Sequence, residues 1–342
     1  MSYSIFALGN PLLDIQVYNG EELLTKYDLK ANDAILAEEK HAPLYEELVK
    51  NYKPTYVAGG AAQNAARGAA YVLPPKSVVY AGSVGKDDLA EQLKAANKRE
   101  GLDEVYYVKE GEQTGACGVI ITGHNRSLVT TLRAAEKFDK SHLSSPLVAP
   151  LIDGAKLFYV EGYFLTHGSE SALELSKKAS ESSKIFVLNL SAPFIPQFFG
   201  VQLQQILPYT DIVICNETEA ESWASATGIA DKDLVSIAKA LATQPKTNAA
   251  RPRIVVITHG AESTIVVSAN DLENPKTYAV HALADFEIVD TNGAGDAFAG
   301  GFIGAYVSGK SLDESIEAGH KMGAMNVQLV GPQFKWPKVQ IL

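Results

Sequence analysis

Six short apolar runs, joined by longer stretches of helical character, restrict what this chain can fold into more than any other feature. They are Ile5–Leu8 in SIFALG, Val78–Ala81 in SVVYAG, Leu157–Val160 in KLFYV, Ile185–Leu190 in IFVLNL, Ile212–Cys215 in DIVIC and Ile254–Thr258 in IVVIT. Several are apolar at successive positions and do not alternate, which suits strands buried on both faces. Helix-like segments run between and after them, over about 61–73, 87–100, 169–182, 217–226, 231–243, 295–308 and 311–328. Strand alternating with helix predicts an α/β fold with a largely parallel sheet.

Two regions break that alternation. Residues about 13–60 and 111–132 carry the short strand-like pieces LLDIQVY, AILAE, ACGVIITG and SLVTTL, which fit central strands less well. They predict a small separate sheet covering the main domain. The expected organisation is one unit over 1–342, with a large domain at about 1–12, 61–110 and 133–342, and a discontinuous lid at about 13–60 and 111–132. TQPKTNAARPR at 243–253 reads as an exposed loop.

Composition narrows the partners. The 342 residues suit one large or two ordinary domains, and 46% hydrophobic with 20% charged residues suits a globular chain. The net charge of -10 argues against a nucleic-acid partner, so an anionic ligand must be held by local amides and a few cations. The two cysteines, Cys117 and Cys215, lack metal-type spacing and fit reduced thiols of the cytoplasm, with the nucleus also open. The start, MSYSIFALGNP, lacks the basic region of a signal peptide. No apolar run reaches the roughly 18–20 residues that a bilayer needs, so no membrane partner is expected.

Four motifs carry candidate chemistry. In DTNGAGDAFAGG, residues 290–301, glycines allow close backbone approach, and the following helix start offers free amides and a positive dipole end. Asp296 then stands in the first turn. It is either a residue satisfying the dipole or a base that takes a proton from an attacking hydroxyl. Gly300 and Gly301 are expected to let the helix pack closely. In ALGNPLLDI, Asn10 and Asp14 follow the first strand, where α/β sheets bind ligands. They fit two sugar hydroxyls, or a plain Asn-Pro turn with a surface Asp, and these residues alone favour the turn. In VAGGAAQNAARGAA, Asn64 lies one turn into a small-residue helix and can point back to the Gly-Gly turn. In CNETEAES, Asn216 and Glu219 share one helix face and fit either a hydrated magnesium ion or a capping box. THG at 258–260 ends another strand where a nucleotide can sit, and Arg126 in GHNRSL is either a solvated arginine or a phosphate contact.

Together, AGGAAQN and DTNGAGDAF resemble the signatures of the ribokinase-like family of carbohydrate and nucleoside kinases. GNPLLDI, NDAILAEEKH, GHNRSL, GYFLT, LNLSAPFI and CNETEA extend the resemblance over nearly the whole chain, toward the eukaryotic branch that acts on adenosine. The resemblance implies a three-layer α/β/α sandwich with a mainly parallel central sheet and a small β-rich lid. It also implies roles for residues at the positions of the matched motifs. Asp296 would be the general base, and Arg126 would close over the phosphates. Gly293, Ala294 and Gly295 would hold phosphates, with Asn216, Thr258 and Gly260 also on the ATP side. Asn10, Asp14, Gly59, Gly60, Asn64 and Asn292 would surround the ribose. Leu36, Cys117, Leu128, Phe164 and Phe194 would surround adenine. Glu219 would reach Mg²⁺ through water. ATP and adenosine are the implied small-molecule substrates, a monovalent cation is admitted, and a monomer is implied. Departures are Ala61, where many relatives carry Ser, and Ala34, where some carry Gln.

A sugar kinase of the same family is the nearest alternative, but the apolar slot suits a base better than a free sugar. A catalytically silent nucleoside-binding protein is opposed by the intact Asp296, Arg126 and glycine turn. A dinucleotide-binding dehydrogenase lacks G-x-G-x-x-G after the first strand.

Overall fold

The computed structural model describes residues 3–31, 33–123, 125–231 and 233–342. The side chain of Ala34 is outside the described part, and with it the expected loss of a polar contact there.

All six apolar runs become neighbours in one nine-stranded sheet. Its order is Asp271–Tyr278, Thr264–Ser268, Ile254–Thr258, Ile212–Asn216, Ile185–Asn189, Leu157–Glu161, Ile5–Leu8, Val78–Ala81, Asp103–Glu104. The seven strands from Ile254–Thr258 onward run parallel, and the first two join antiparallel. Every residue of Ile5–Leu8 and Val78–Ala81 is buried, as the continuous apolar pattern predicts.

Successive side chains feed opposite faces. Phe6, Leu8, Phe158, Val160, Phe186 and Leu188 enter one core, shared with Leu175, Trp223 and Leu241 from helices. Ile5, Ala7, Leu157, Tyr159 and Val187 enter a second core, shared with Ala65, Ala69, Phe298 and Phe302. The result is the expected three-layer sandwich. On the second face, helices Ala61–Val72 and Ala294–Val307 pack at very short range. A Cβ at Gly300 would stand 2.4 Å from the Ala65 carbonyl oxygen, so that crossing needs glycine.

A five-stranded sheet lies apart from the first, in the order Ala34–Leu36, Asn125–Thr131, Gly115–Thr122, Leu12–Tyr18, Thr55–Gly59. The four strand-like pieces singled out above all contribute to it. The same stretch also holds helices Glu21–Lys26 and Ala42–Asn51, where only strands were expected. Leu44, Tyr45 and Leu48 are buried on one side of Ala42–Asn51 and pack with Ile15, Ile120 and Val129 over one face of this sheet. That spacing of apolar residues is helical. Among the described residues, no helix is long and apolar enough to cross a membrane.

Candidate active site

The two sheets and the start of helix Ala294–Val307 meet around a cavity of about 460 Å³. Its wall on the five-stranded sheet follows from register. Asp14 pairs with Cys117, Cys117 with Thr130, and Thr130 with Leu36. Partners across a ladder point to the same face, so these four side chains form one row, and all four line the cavity. Leu128 lies two residues before Thr130 on the same face and extends the apolar part. Leu36 is 55% exposed, so this slot is open at its outer edge.

Two loop backbones meet at the polar end. Gly60 is left-handed at φ +87°. A Cβ there would stand 2.0 Å from the Asn10 carbonyl oxygen, so glycine alone lets these segments touch. Gly60, Asn10 and Asp14 line the cavity, while Gly59 backs the Asp14 carboxylate, 2.3 Å from where its own Cβ would be.

Asn64 is the pivot of the site. Its Nδ2 donates to Asp296 Oδ2 at 3.0 Å, and its Oδ1 accepts from an Arg67 guanidinium nitrogen at 3.1 Å. Arg67 is fully buried and also donates to both Glu100 carboxylate oxygens, at 2.7 and 2.9 Å, and to the Ala58 carbonyl at 2.7 Å. This fixes the amide: the oxygen is used by Arg67, so the NH₂ faces Asp296. Arg67 was missed in the sequence. Its signal was there, as the one charged residue of AAQNAARGAA, three positions from Asn64 and thus on the same helix face.

Asp296 sits in the first turn of its helix, behind Gly293 at the N-cap. The amides of Gly295 and Asp296 have no backbone acceptor among the described residues, as expected at a helix start. Burial at the cavity floor pushes the Asp296 carboxyl up to about 7, against the opposing pull of Asn64 and Arg67. Burial also pushes Asp14 up to about 7. There Arg67 opposes the shift, and Asp296 and Asp290 add to it. Both carboxyls therefore titrate near neutrality.

The adjoining wall carries Asn216, Glu219 and Thr258. Asn216 Oδ1 accepts from the Glu219 amide at 2.8 Å, and the Glu219 carboxylate accepts from the Asn216 amide at 3.0 Å. The capping box is formed, and both residues also line the cavity. Burial pushes Glu219 up to about 7. Asn292, Gly293 and Gly295 also face the cavity, and Phe194 closes another side with Tyr163, their rings 5.9 Å apart. Ala294 begins the helix, and Gly260 is left-handed in the turn after Ile254–Thr258; neither is on the cavity wall.

Two more of the expected site residues stand off the cavity wall. Phe164 is fully buried in the main core, against Phe138 and His167, and does not line the slot. Neighbouring residues in the tight 3₁₀ turn Gly162–Phe164 point different ways, and Tyr163 takes the place on the wall. Arg126 is buried and is not on the cavity wall. Its Nε donates to Asp290 Oδ2 at 2.6 Å, and that oxygen also accepts from the Gly331 amide at 2.7 Å. Asp290 Oδ1 accepts from the Asn292 amide at 3.0 Å. The arginine thus ties the five-stranded sheet to the first residue of the glycine motif.

Glu161 was also missed. It ends strand Leu157–Glu161 and lines the cavity, yet it is 1% exposed and its Oε2 has no hydrogen-bond partner among the described residues. Burial drives its carboxyl well above the ordinary range, and Asp296 adds to the effect. The available signal was an acid at the C-terminal end of a wholly apolar strand.

Residues 21–339 match the family model described as pfkB family carbohydrate kinase. An adenosine kinase of Schizophyllum commune is 69% identical over 342 residues, covering 100% of this chain and 99% of that one. The crystal structure of Anopheles gambiae adenosine kinase in complex with P1,P4-di(adenosine-5) tetraphosphate superposes with a TM-score of 0.91 at 41% identity, covering 96% of each chain. Adenosine kinase from Schistosoma mansoni, in complex with adenosine in an occluded loop conformation, gives a TM-score of 0.90 at 33% identity, covering 97% of each chain. With an acid at a glycine-opened helix start bonded to Asn64, and matches over almost its whole length, the chain belongs to the pfkB family of carbohydrate kinases, on its adenosine kinase branch.

Proposed function

We propose that this chain transfers the γ-phosphoryl group of ATP to the 5′-hydroxyl of adenosine, giving AMP and ADP. The observation that carries the reading is the 3.0 Å bond from Asn64 Nδ2 to Asp296 Oδ2, which couples the sugar clamp to the acid at the helix start. Adenine fills the slot of Leu36, Cys117, Leu128 and Phe194, with Tyr163 replacing Phe164 on the wall. Asn10, Asp14, Gly60, Asn64 and Asn292 surround the ribose, with Gly59 behind Asp14.

Asp296 accepts the proton of the 5′-hydroxyl as that oxygen forms its bond to the γ-phosphorus and the bond to the ADP oxygen breaks. The proton leaves Asp296 to solvent after transfer. The amides of Gly295 and Asp296, on the turn opened by Gly293 and Ala294, hold the charge on the phosphoryl oxygens. Such transfer asks mainly for positioning and charge stabilisation. Asn216 and Thr258 face the ATP side, with Gly260 in the turn beyond. Arg126 acts by holding the glycine motif through Asp290, and the five-stranded sheet, over about 13–60 and 111–132, serves as the lid.

Among the described residues, no three His, Cys, Asp or Glu side chains cluster to hold a metal. A single buried carboxylate beside an amide fits a hydrated Mg²⁺ shared with ATP phosphates, and does not fit an all-protein cage. Glu219, with Asn216, would hold its waters, and the ion would supply charge neutralisation on the ATP phosphates.

A coupled ADP-release assay tests the reading, with adenosine and ribose as alternative acceptors and Mg²⁺ withheld as control. Turnover is expected with adenosine and Mg²⁺ only. Preference for ribose, or no turnover with adenosine, would overturn it.

A further inference from the structure

His167 lies just outside the cavity wall, in helix Leu165–Glu181, and the chemistry proposed above does not use it. Its Nε2 stands 2.9 Å from Asn10 Oδ1. A carboxamide oxygen only accepts, so Nε2 must carry the hydrogen. Asn10 itself is 2% exposed and lines the cavity. With its oxygen turned to the ring, the amide presents its NH₂ group on the side away from it.

Left alone, a carboxamide can present either end, since oxygen and NH₂ are nearly equal in size. Asn10 therefore needs a partner to present one defined end to a sugar hydroxyl. Asn64 shows the same device on the opposite side, where Arg67 takes the oxygen and leaves the NH₂ for Asp296. The ring is held in place by an edge contact with Phe164, their centroids 5.1 Å apart. The fully buried position of Phe164 thus has a use: it supports the group that orients Asn10.

We infer that His167 is a positioning residue, which turns the Asn10 amide so that its NH₂ donates to an oxygen of the nucleoside sugar. Burial holds the imidazole pKa down at about 4, so the ring is neutral at physiological pH, with one nitrogen left to accept. Nε2–H is the form that the Asn10 contact selects.

The inference rests on Asn10 being a sugar contact, and the test separates the two ideas. A double-mutant cycle uses the full chain, His167→Leu, Asn10→Ala and the double variant, with kcat and KM for adenosine. His167→Leu should lower kcat/KM about tenfold, the usual scale of one oriented hydrogen bond. The same change should cost almost nothing in the Asn10→Ala background, because no amide is left to orient. His167→Gln, whose NH₂ can donate to the same oxygen, should restore most of the activity. If Asn10→Ala costs nothing, the sugar-contact reading fails and the inference with it. If Asn10→Ala is costly and His167→Leu costs equally in both backgrounds, the positioning role alone is overturned. Should His167→Leu melt far below the parent, His167→Gln decides: near-parental kcat/KM upholds the role, and a tenfold loss overturns it.

Discussion

Asp296→Asn should slow the enzyme and stabilise it at once. The amide has the shape of the carboxylate, and its oxygen can still accept from Asn64 Nδ2, which now lies 3.0 Å from Asp296 Oδ2. Adenosine binding should therefore persist. Loss of a positioned base costs about 10²–10⁴-fold in kcat. The gain in stability comes from the raised carboxyl. Burial pushes it from 3.8 up to about 7, so the folded state prefers the neutral acid and ionisation costs stability. The sign follows. The cost begins as pH rises past the unfolded value of 3.8 and is complete above about 7, and the variant escapes it. One unit is about 1.4 kcal/mol, so a fully dry site would cost roughly 4 kcal/mol. The group is half-buried, and water reaching it reduces this to roughly 1–2 kcal/mol. For a chain of this length that is a rise in Tm of about 1.5–3 °C at pH 8, shrinking toward zero near pH 4. Stopped-time assays give kcat, calorimetry gives adenosine affinity, and melting at pH 8 and pH 4.5 gives the stability term. An unchanged kcat refutes the base role. A Tm at pH 8 equal to or below the parent's refutes the argument that burial outweighs the Asn64 hydrogen bond.

In the parent enzyme the same titration should produce an acid limb in kcat/KM near pH 7, and a profile flat down to pH 5 would count against it. Arg126→Met should cost about 3–5 kcal/mol in urea unfolding, because it leaves the buried Asp290 charge without its counter-ion; a loss of activity without loss of stability would instead favour a phosphate contact. Phe164→Leu should lower stability by about 1–3 kcal/mol with little change in adenosine KM, whereas Tyr163→Ala should raise KM; the reverse pattern would return Phe164 to the slot. Gly300→Val should unfold at clearly lower denaturant, because its Cβ would meet the Ala65 oxygen at 2.4 Å. Removing Mg²⁺ with a chelator should abolish turnover while calorimetry still shows adenosine binding, and turnover surviving chelation would remove the metal from the scheme.

The wall of the site shows why some of it was legible in the sequence and some was not. Asp14, Asn64 and Asp296 sit in motifs whose glycines and helix starts have local physical meaning, so they could be picked out one by one. Arg67, Glu161 and Asp290 sit in the same motifs or beside them, but their importance lies in partners far along the chain. Arg67 meets Glu100, Asp290 meets Arg126, and Glu161 ends a strand beside the first one. Phe164 misled because a tight turn, and not the pattern of residues, decides which of two adjacent aromatic rings faces a cavity.

By itself the sequence determined the layering. Continuous apolar runs must be covered on both faces, and strands alternating with helices close into a parallel sheet between two helical layers. It also determined that an acid would stand at a glycine-opened helix start. Only the tertiary structure decided what that acid can do. Asn64 and Asp296 are separated by 232 positions and meet at 3.0 Å because two helices cross where Gly300 leaves no side chain between them. The row from Asp14 through Cys117 and Thr130 to Leu36 exists only in the register of four strands. Local pattern sets which elements form; their long-range packing sets the distances, the burial and hence the pKa values on which the chemistry depends.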